Sequence, residues 1–206
     1  MKRHRLNVFV NVPFDDDYAQ LFDALIFAIT ACGYRVRCAL DENDSGDIRL
    51  DKLVQLIKAS PRSIHDLSRV ELGANDLPSF NMPFELGLAL GAKRFGGSTH
   101  RNDRIKIMVG EPYKLPAYLS DLGGNDPHAH HAEPHQLMRI VRNFLDVSPS
   151  GEPLPGPAKL IEAFDLFGET LPVLAQEIEH QPQEIGGFRS YRPFLWCVAE
   201  FLRRAG

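Results

Sequence analysis

The sequence predicts an α/β fold: a parallel sheet of four to five strands with helices on both faces, plus C-terminal helices. Three observations predict it. Short apolar runs alternate with segments of helical spacing, the pattern of strands joined through crossover helices. The first run, Leu6 to Val12 (LNVFVNV), is continuously apolar at its centre rather than alternating, as suits a strand buried on both faces. Turn chemistry falls between the segments, at Pro13, Gly33 and the polar stretch Asp41 to Asp47.

Taken in order, Pro13 ends the first strand, and Phe14 to Tyr18 forms a turn and an acidic helix start. A helix follows through Leu21, Leu25, Ile26 and Ile29 and stops at Gly33. Tyr34 to Leu40 (YRVRCAL) reads as the second strand, and Ile48 to Ala59 has helical spacing. Arg62 to Leu67 (RSIHDL) is a short third strand, ending at Asp66 and Ser68. A loop with Gly73, Asn75, Asp76 and Pro78 leads to the stretch Asn81 to Gly91 (NMPFELGLALG). Pro83 suits a first helical turn, and Asn81 is placed to cap it. Arg104 to Val109 is the fourth strand, Pro112 to Leu122 a short helix or irregular, and Asn125 to His130 a weaker fifth strand. Pro134 to Leu145 is a helix. Each crossover between parallel strands is expected to be right-handed.

Length and linear punctuation give an organisation: residues 1–147 as the α/β domain, a Pro/Gly-rich linker at 148–157 (SPSGEPLPGP), and a helical appendage at 158–206. The appendage reads as helices Ala158 to Glu179, where Pro172 is expected to bend or interrupt, and Pro193 to Arg204. Hydrophobic residues make up 44% and charged ones 24%, ordinary values for a globular protein. The net charge of −4 gives no electrostatic reason to bind nucleic acid or an anionic membrane, and no apolar run approaches a membrane span. The basic start, Lys2 to Arg5, runs into a strand rather than an apolar signal region. Cys32, Cys38 and Cys197 are widely spaced and odd in number, which fits reduced thiols and a cytoplasmic protein.

In a parallel sheet, three loops would share the carboxyl edge: Pro13 to Tyr18, Asp41 to Asp47 and Asp66 to Ser68. That edge is where open α/β sheets bind ligands. The helix starting near Asn81 would open there and carry one carboxylate, Glu85, in an otherwise apolar run. A first-turn acid is favoured by the helix dipole, so a solvated surface role accounts for Glu85 as well as a functional one. No G-x-G-x-x-G follows the first strand and no Walker sequence occurs, which argues against a hydride-transferring dehydrogenase and a P-loop NTPase.

A first strand ending in Pro13-Phe14, a third ending in His65-Asp66-Leu67-Ser68, and then Asn-Met-Pro-Phe-Glu-Leu-Gly-Leu-Ala-Leu-Gly form an ordered set. Together they resemble the nucleoside 2-deoxyribosyltransferase-like superfamily and the related TIR-like domains of bacterial antiphage defence, over roughly the first two-thirds of the chain. The resemblance implies a flavodoxin-like sheet and a glutamate that attacks or holds the ribose whose N-glycosidic bond is broken. Glu85 would take that role, and Asp66 would be the second carboxylate, protonating the base or orienting sugar hydroxyls. Phe14, Asp17, Asp44, Ser45, Ser68 and Asn81 would line the substrate site. Core packing accounts for Phe14 equally well, helix capping for Asn81, and turn chemistry for Asp17, Asp44 and Ser45. The transferases usually place an aspartate just ahead of the nucleophile, where this chain has Ser79 and Asn81. A hydrolase therefore fits at least as well as a transferase.

The implied activity is NAD hydrolysis with nicotinamide release, as an effector of defence or stress, with NAD as substrate and no cofactor. A nucleoside or nucleotide hydrolase, a deoxyribosyltransferase, and a non-catalytic nucleotide-signal or assembly domain are the alternatives. The C-terminal helices, with Phe164, Phe167, Phe194, Trp196 and Phe201, are the expected surface for a homo-oligomer or a defence partner, unless they are core. His128, His130, His131 and His135 have ligand-like spacing but no paired motif, so a polar loop is expected there and no metal. His65 reads as a strand-end packing residue rather than a base.

Overall fold

The structure is a computed structural model that describes residues 3–41, 46, 48–69, 80–112, 115, 117–186 and 188–205. Along the chain run β1 (Asn7–Asn11), α1 (Ala19–Ala31), β2 (Arg35–Arg37), α2 (Arg49–Ala59), β3 (Arg62–Asp66), α3 (Asn81–Phe95), β4 (Arg104–Val109), β5 (His128–Ala129), α4 (Pro134–Leu145), α5 (Pro157–Glu177) and α6 (Tyr191–Ala205). The five strands form one sheet in the order β2-β1-β3-β4-β5, with every neighbouring pair parallel. The fold class is thus the α/β, flavodoxin-like one, with helices following at the C-terminal end. The strand order reverses between β1 and β3, where the register pairs Phe9 with Ser63 and Asn11 with His65. A ligand crevice is expected at the carboxyl ends of those two strands.

The chain divides into two compact units. The first, residues 1–13 and 35–131, holds the sheet with α2 and α3. Phe9 of β1 packs with Leu53, Leu56 and Ile57 of α2 and Ala89 of α3. On α3, Leu86 joins Leu67, Ile107 and Val109. These contacts set α2 and α3 on one face of the sheet, the face carrying the odd-numbered residues of β1 and β3. Full burial of side chains such as Leu56 and Leu86 contributes roughly 1.5–3 kcal/mol each. Asn7 is also buried, and its amide donates to the Ala59 carbonyl at 3.0 Å, tying the end of α2 to the start of β1.

The second unit, residues 14–34 and 132–206, gathers α1, α4, α5 and α6. At its centre Phe27 of α1 meets Phe164, Phe167 and Phe201, with ring centroids at 5.3, 5.3 and 6.1 Å. Phe167, Phe194 and Phe201 are buried, so the C-terminal aromatics are mostly core; Trp196 is the exception, 42% exposed. The compact division also differs from the linear one, because α1 and α4 group with the C-terminal helices.

Several elements differ from the sequence expectation. β2 ends at Arg37 rather than Leu40, because the Asp41 carboxylate accepts from Arg37 Nε (2.7 Å) and the Cys38 amide (3.0 Å) and turns the chain. α3 begins at Asn81 itself, with Phe80 as the capping position and no side-chain cap, so Asn81 is not the cap. That helix runs on to Phe95, past Gly87 and Gly91. The segment Ala117–Asn125 is 3-10 helical on either side of a kink at Leu119, and Pro172 lies inside an uninterrupted α5. Among the described residues no helix is long and apolar enough to cross a membrane.

Candidate active site

The crossover point between β1 and β3 is closed by a polar network. Both hydrogens of the Asn11 amide are used: Nδ2 lies 3.0 Å from His65 Nδ1 and donates to the Met82 carbonyl at 3.0 Å. If Asn11 donates to Nδ1, the His65 proton sits on Nε2 and points to Ser63 Oγ, also at 3.0 Å. Burial drives the His65 pKa down to about 3. The ring is therefore neutral, and its role is to fix the first turn of α3 against β1 and β3, as a strand-end packing residue would.

That anchoring sets the position of Glu85. On α3, Glu85 is one turn before Ala89, which packs into the Phe9, Leu53, Leu56 and Ile57 cluster. On α2, Arg49 is one turn before Leu53. Arg49 therefore opens α2, whereas Glu85 stands just past the first turn of α3 rather than within it, because the helix starts at Asn81; both lie on the carboxyl side of β1. Glu85 is half-buried, and desolvation raises its pKa from 4.5 to about 7 against the opposing pull of the Arg49 guanidinium. Among the described residues its carboxylate has no hydrogen-bond or ion-pair partner. The residues at these two helix starts include exposed apolar side chains, Phe80 just ahead of α3 and Phe84 on it, Ile48 just ahead of α2 and Leu50 on it.

Asp66 has a different environment. The pleat turns it to the face opposite His65, away from α3, and it is fully buried. Its Oδ1 accepts from the Ser68 amide at 2.8 Å, and its Oδ2 lies 2.9 Å from His130 Nε2. The imidazole is close enough for an ion pair but off the straight donor line. The bridge reaches from β3 to the end of β5 across β4, where Gly110 leaves room: a Cβ there would stand 3.3 Å from Ser68 Cβ. The structure thus does not bring the Asp66 and Glu85 side chains together.

The remaining sequence candidates are dispersed. Ser68 follows Asp66, and its Oγ is buried with no hydrogen-bond partner among the described residues. Asn81 is exposed at the start of α3. Phe14 belongs to the second unit, edge-on to Phe22 at 5.6 Å and Phe188 at 6.2 Å. Asp17 lies in the 3-10 turn Asp16–Tyr18 of that unit, a turn capped by Asp15. Asp44 and Ser45 lie outside the described residues. The histidines do not converge: His128 contacts the Asp126 carbonyl, His130 pairs with Asp66, and His135 pairs with Asp165. Among the described residues no group of three could hold a metal ion.

Sequence reasoning missed Asn11, Arg49 and the partnership of His130. Asn11 carried a readable signal, a polar side chain closing an apolar strand beside the strand-order reversal. No family model matches the chain, and no curated protein matches it.

Proposed function

We propose that the protein is an N-glycosidase that cleaves a ribosyl–base bond, with NAD as substrate and Glu85 as the carboxylate that meets the anomeric carbon. The observation that carries this reading is Glu85: a lone, desolvated carboxylate, near the crossover of the strand order, with no structural partner among the described residues. Buried carboxylates without a bonding role are costly, and they concentrate where chemistry uses them.

The chemistry needs only one carboxylate. As nicotinamide departs, the C1′–N electron pair passes to the pyridinium nitrogen and neutralises it, so the leaving base needs no proton. Positive charge develops on the ribose, and Glu85 stabilises it or adds to C1′ as an ester. Water then adds at C1′, giving ADP-ribose and a proton. A neutral purine or pyrimidine would need a general acid, and the Asp66 carboxylate is already held by the Ser68 amide and His130. This favours the cationic leaving group of NAD over a nucleoside. Asp66 then acts as a positioning residue for the strand ends, and Arg49 is available to the pyrophosphate. The place of such an activity as an effector of antiphage defence or stress rests on the resemblance carried by Pro13-Phe14, His65 to Ser68 and Asn81 to Gly91.

The test is mass-spectrometric detection of nicotinamide and other bases released from NAD, nucleosides and nucleotides at high protein concentration, comparing wild type with Glu85→Gln. Nicotinamide release that disappears in the variant supports the reading. Release that survives it, or none from folded, assembled protein, overturns it.

A further inference from the structure

Towards its C-terminal end, α3 shapes a second place. Positions 87, 90, 91, 94 and 95 recur at three and four along the helix and line one side of a cavity of about 760 Å³, floored by Ile105 and Ile107 of β4. Roughly 14 Å of helix separates this end from Glu85.

Gly87 and Gly91 are interior helical glycines, each costing about 1 kcal/mol relative to alanine. Among the described residues packing does not require either one, since an added Cβ meets no other side chain or neighbouring element within 4 Å. Gly96, just past the helix, is the contrast: a Cβ there would stand 2.9 Å from the His100 ring. The two interior glycines border a space that no described residue fills.

The rim of that space is cationic. Lys93, Arg94 and Arg101 line it, and none has a carboxylate partner among the described residues. Their arrangement is held in place: buried Asp103 takes Arg3 and His100 as partners, which pins the turn that returns Arg101 to the helix end. In a chain of net charge −4, three unneutralised cations around one cavity are a local anion site rather than a general excess. Phe95 is 86% exposed, and the Asn125 amide, also on the lining, offers a donor and an acceptor together.

We infer that this groove binds a nucleoside polyphosphate. The phosphates sit on Lys93, Arg94 and Arg101, the base stacks on Phe95, and Asn125 reads the base edge. The volume lies within the range of small-molecule sites. The inference does not depend on the reading of Glu85.

Calorimetric titration of the full chain with ATP, adenosine, inorganic triphosphate and poly-glutamate tests it. ATP is expected to bind, with adenosine and triphosphate each weaker by roughly tenfold or more. The double charge reversal Arg94→Glu/Arg101→Glu lowers ATP affinity by a similar factor. Gly91→Leu fills the groove and abolishes binding while favouring the helix, and Glu85→Gln leaves ATP affinity unchanged. No ATP binding, or ATP binding untouched by both groove variants, overturns the site. Loss of ATP binding in Glu85→Gln assigns the ligand to the other site and also overturns it. Triphosphate binding as tightly as ATP, or poly-glutamate displacing ATP, overturns the nucleoside assignment.

Discussion

Two carboxylates stand near the carboxyl ends of the same sheet, and they live in opposite ways. Asp66 is fully buried yet supplied with partners, the Ser68 amide on one oxygen and His130 on the other. Glu85 is only half-buried, yet its pKa is raised to about 7 by desolvation, and among the described residues no donor relieves it. Burial therefore does not separate the two; satisfaction does. A buried carboxylate with two partners holds strands together, whereas one left without partners is energetically available to a ligand.

The largest effect that would break this comparison is on turnover. Glu85→Gln keeps the shape and removes the charge, so base release should fall by roughly 10³-fold or more with the fold intact by circular dichroism. Asp66→Asn should behave conversely. Replacing the buried carboxylate beside His130 by a neutral amide is expected to cost about 1–3 kcal/mol in denaturant unfolding, with turnover per folded molecule largely kept. Should Asp66→Asn unfold normally and lose turnover, Asp66 is catalytic and the comparison collapses.

A smaller effect sharpens it. Folding raises the Glu85 pKa from 4.5 to about 7, so between those values the folded state holds more proton than the unfolded chain. Stability contributed by the protonated form is present below pH 4.5 and is lost as pH rises through about 7. Glu85→Gln should remove that slope and be more stable than wild type above pH 7, by on the order of 1–3 kcal/mol after allowance for solvent screening. Equal unfolding free energies for both proteins at pH 5 and pH 8 would show that Glu85 is an ordinary solvated acid.

What the sequence made legible follows the same division between pattern and partnership. Periodicity placed β4 and α4 at their observed ends, because apolar spacing and Pro134 are local signals. β2 was overestimated because its stop is a side-chain bond from Asp41 back to Arg37 and the Cys38 amide, which no apolar pattern encodes. Glu85 stood out as a lone acid in an apolar helix. Its neighbour Arg49 did not, since the two meet only when α2 and α3 pack through Leu53 and Ala89. His130 was grouped with the histidines next to it in sequence, while its partner lies two strands away on β3. Phe167, Phe194 and Phe201 were candidates for an exposed surface because a helical apolar stripe has the same spacing whether it faces a core or a partner.

The smallest expected effect is the most specific to the Glu85 environment. Arg49 opposes the desolvation of Glu85, so removing its guanidinium should push the Glu85 pKa further up. If ionised Glu85 is required, kcat/KM for base release rises with pH and levels off above about 7, and Arg49→Ala moves that limb to higher pH. The cationic nicotinamide ring of bound NAD stabilises the carboxylate, so the kcat limb should lie below the kcat/KM limb in both proteins. Arg49→Lys retains a positive charge and should leave the limb near its wild-type place, which separates field from packing. A limb that stays put in Arg49→Ala, with KM alone raised, would reduce Arg49 to a phosphate contact. Glu85 would then owe its pKa to burial between the two helix starts alone.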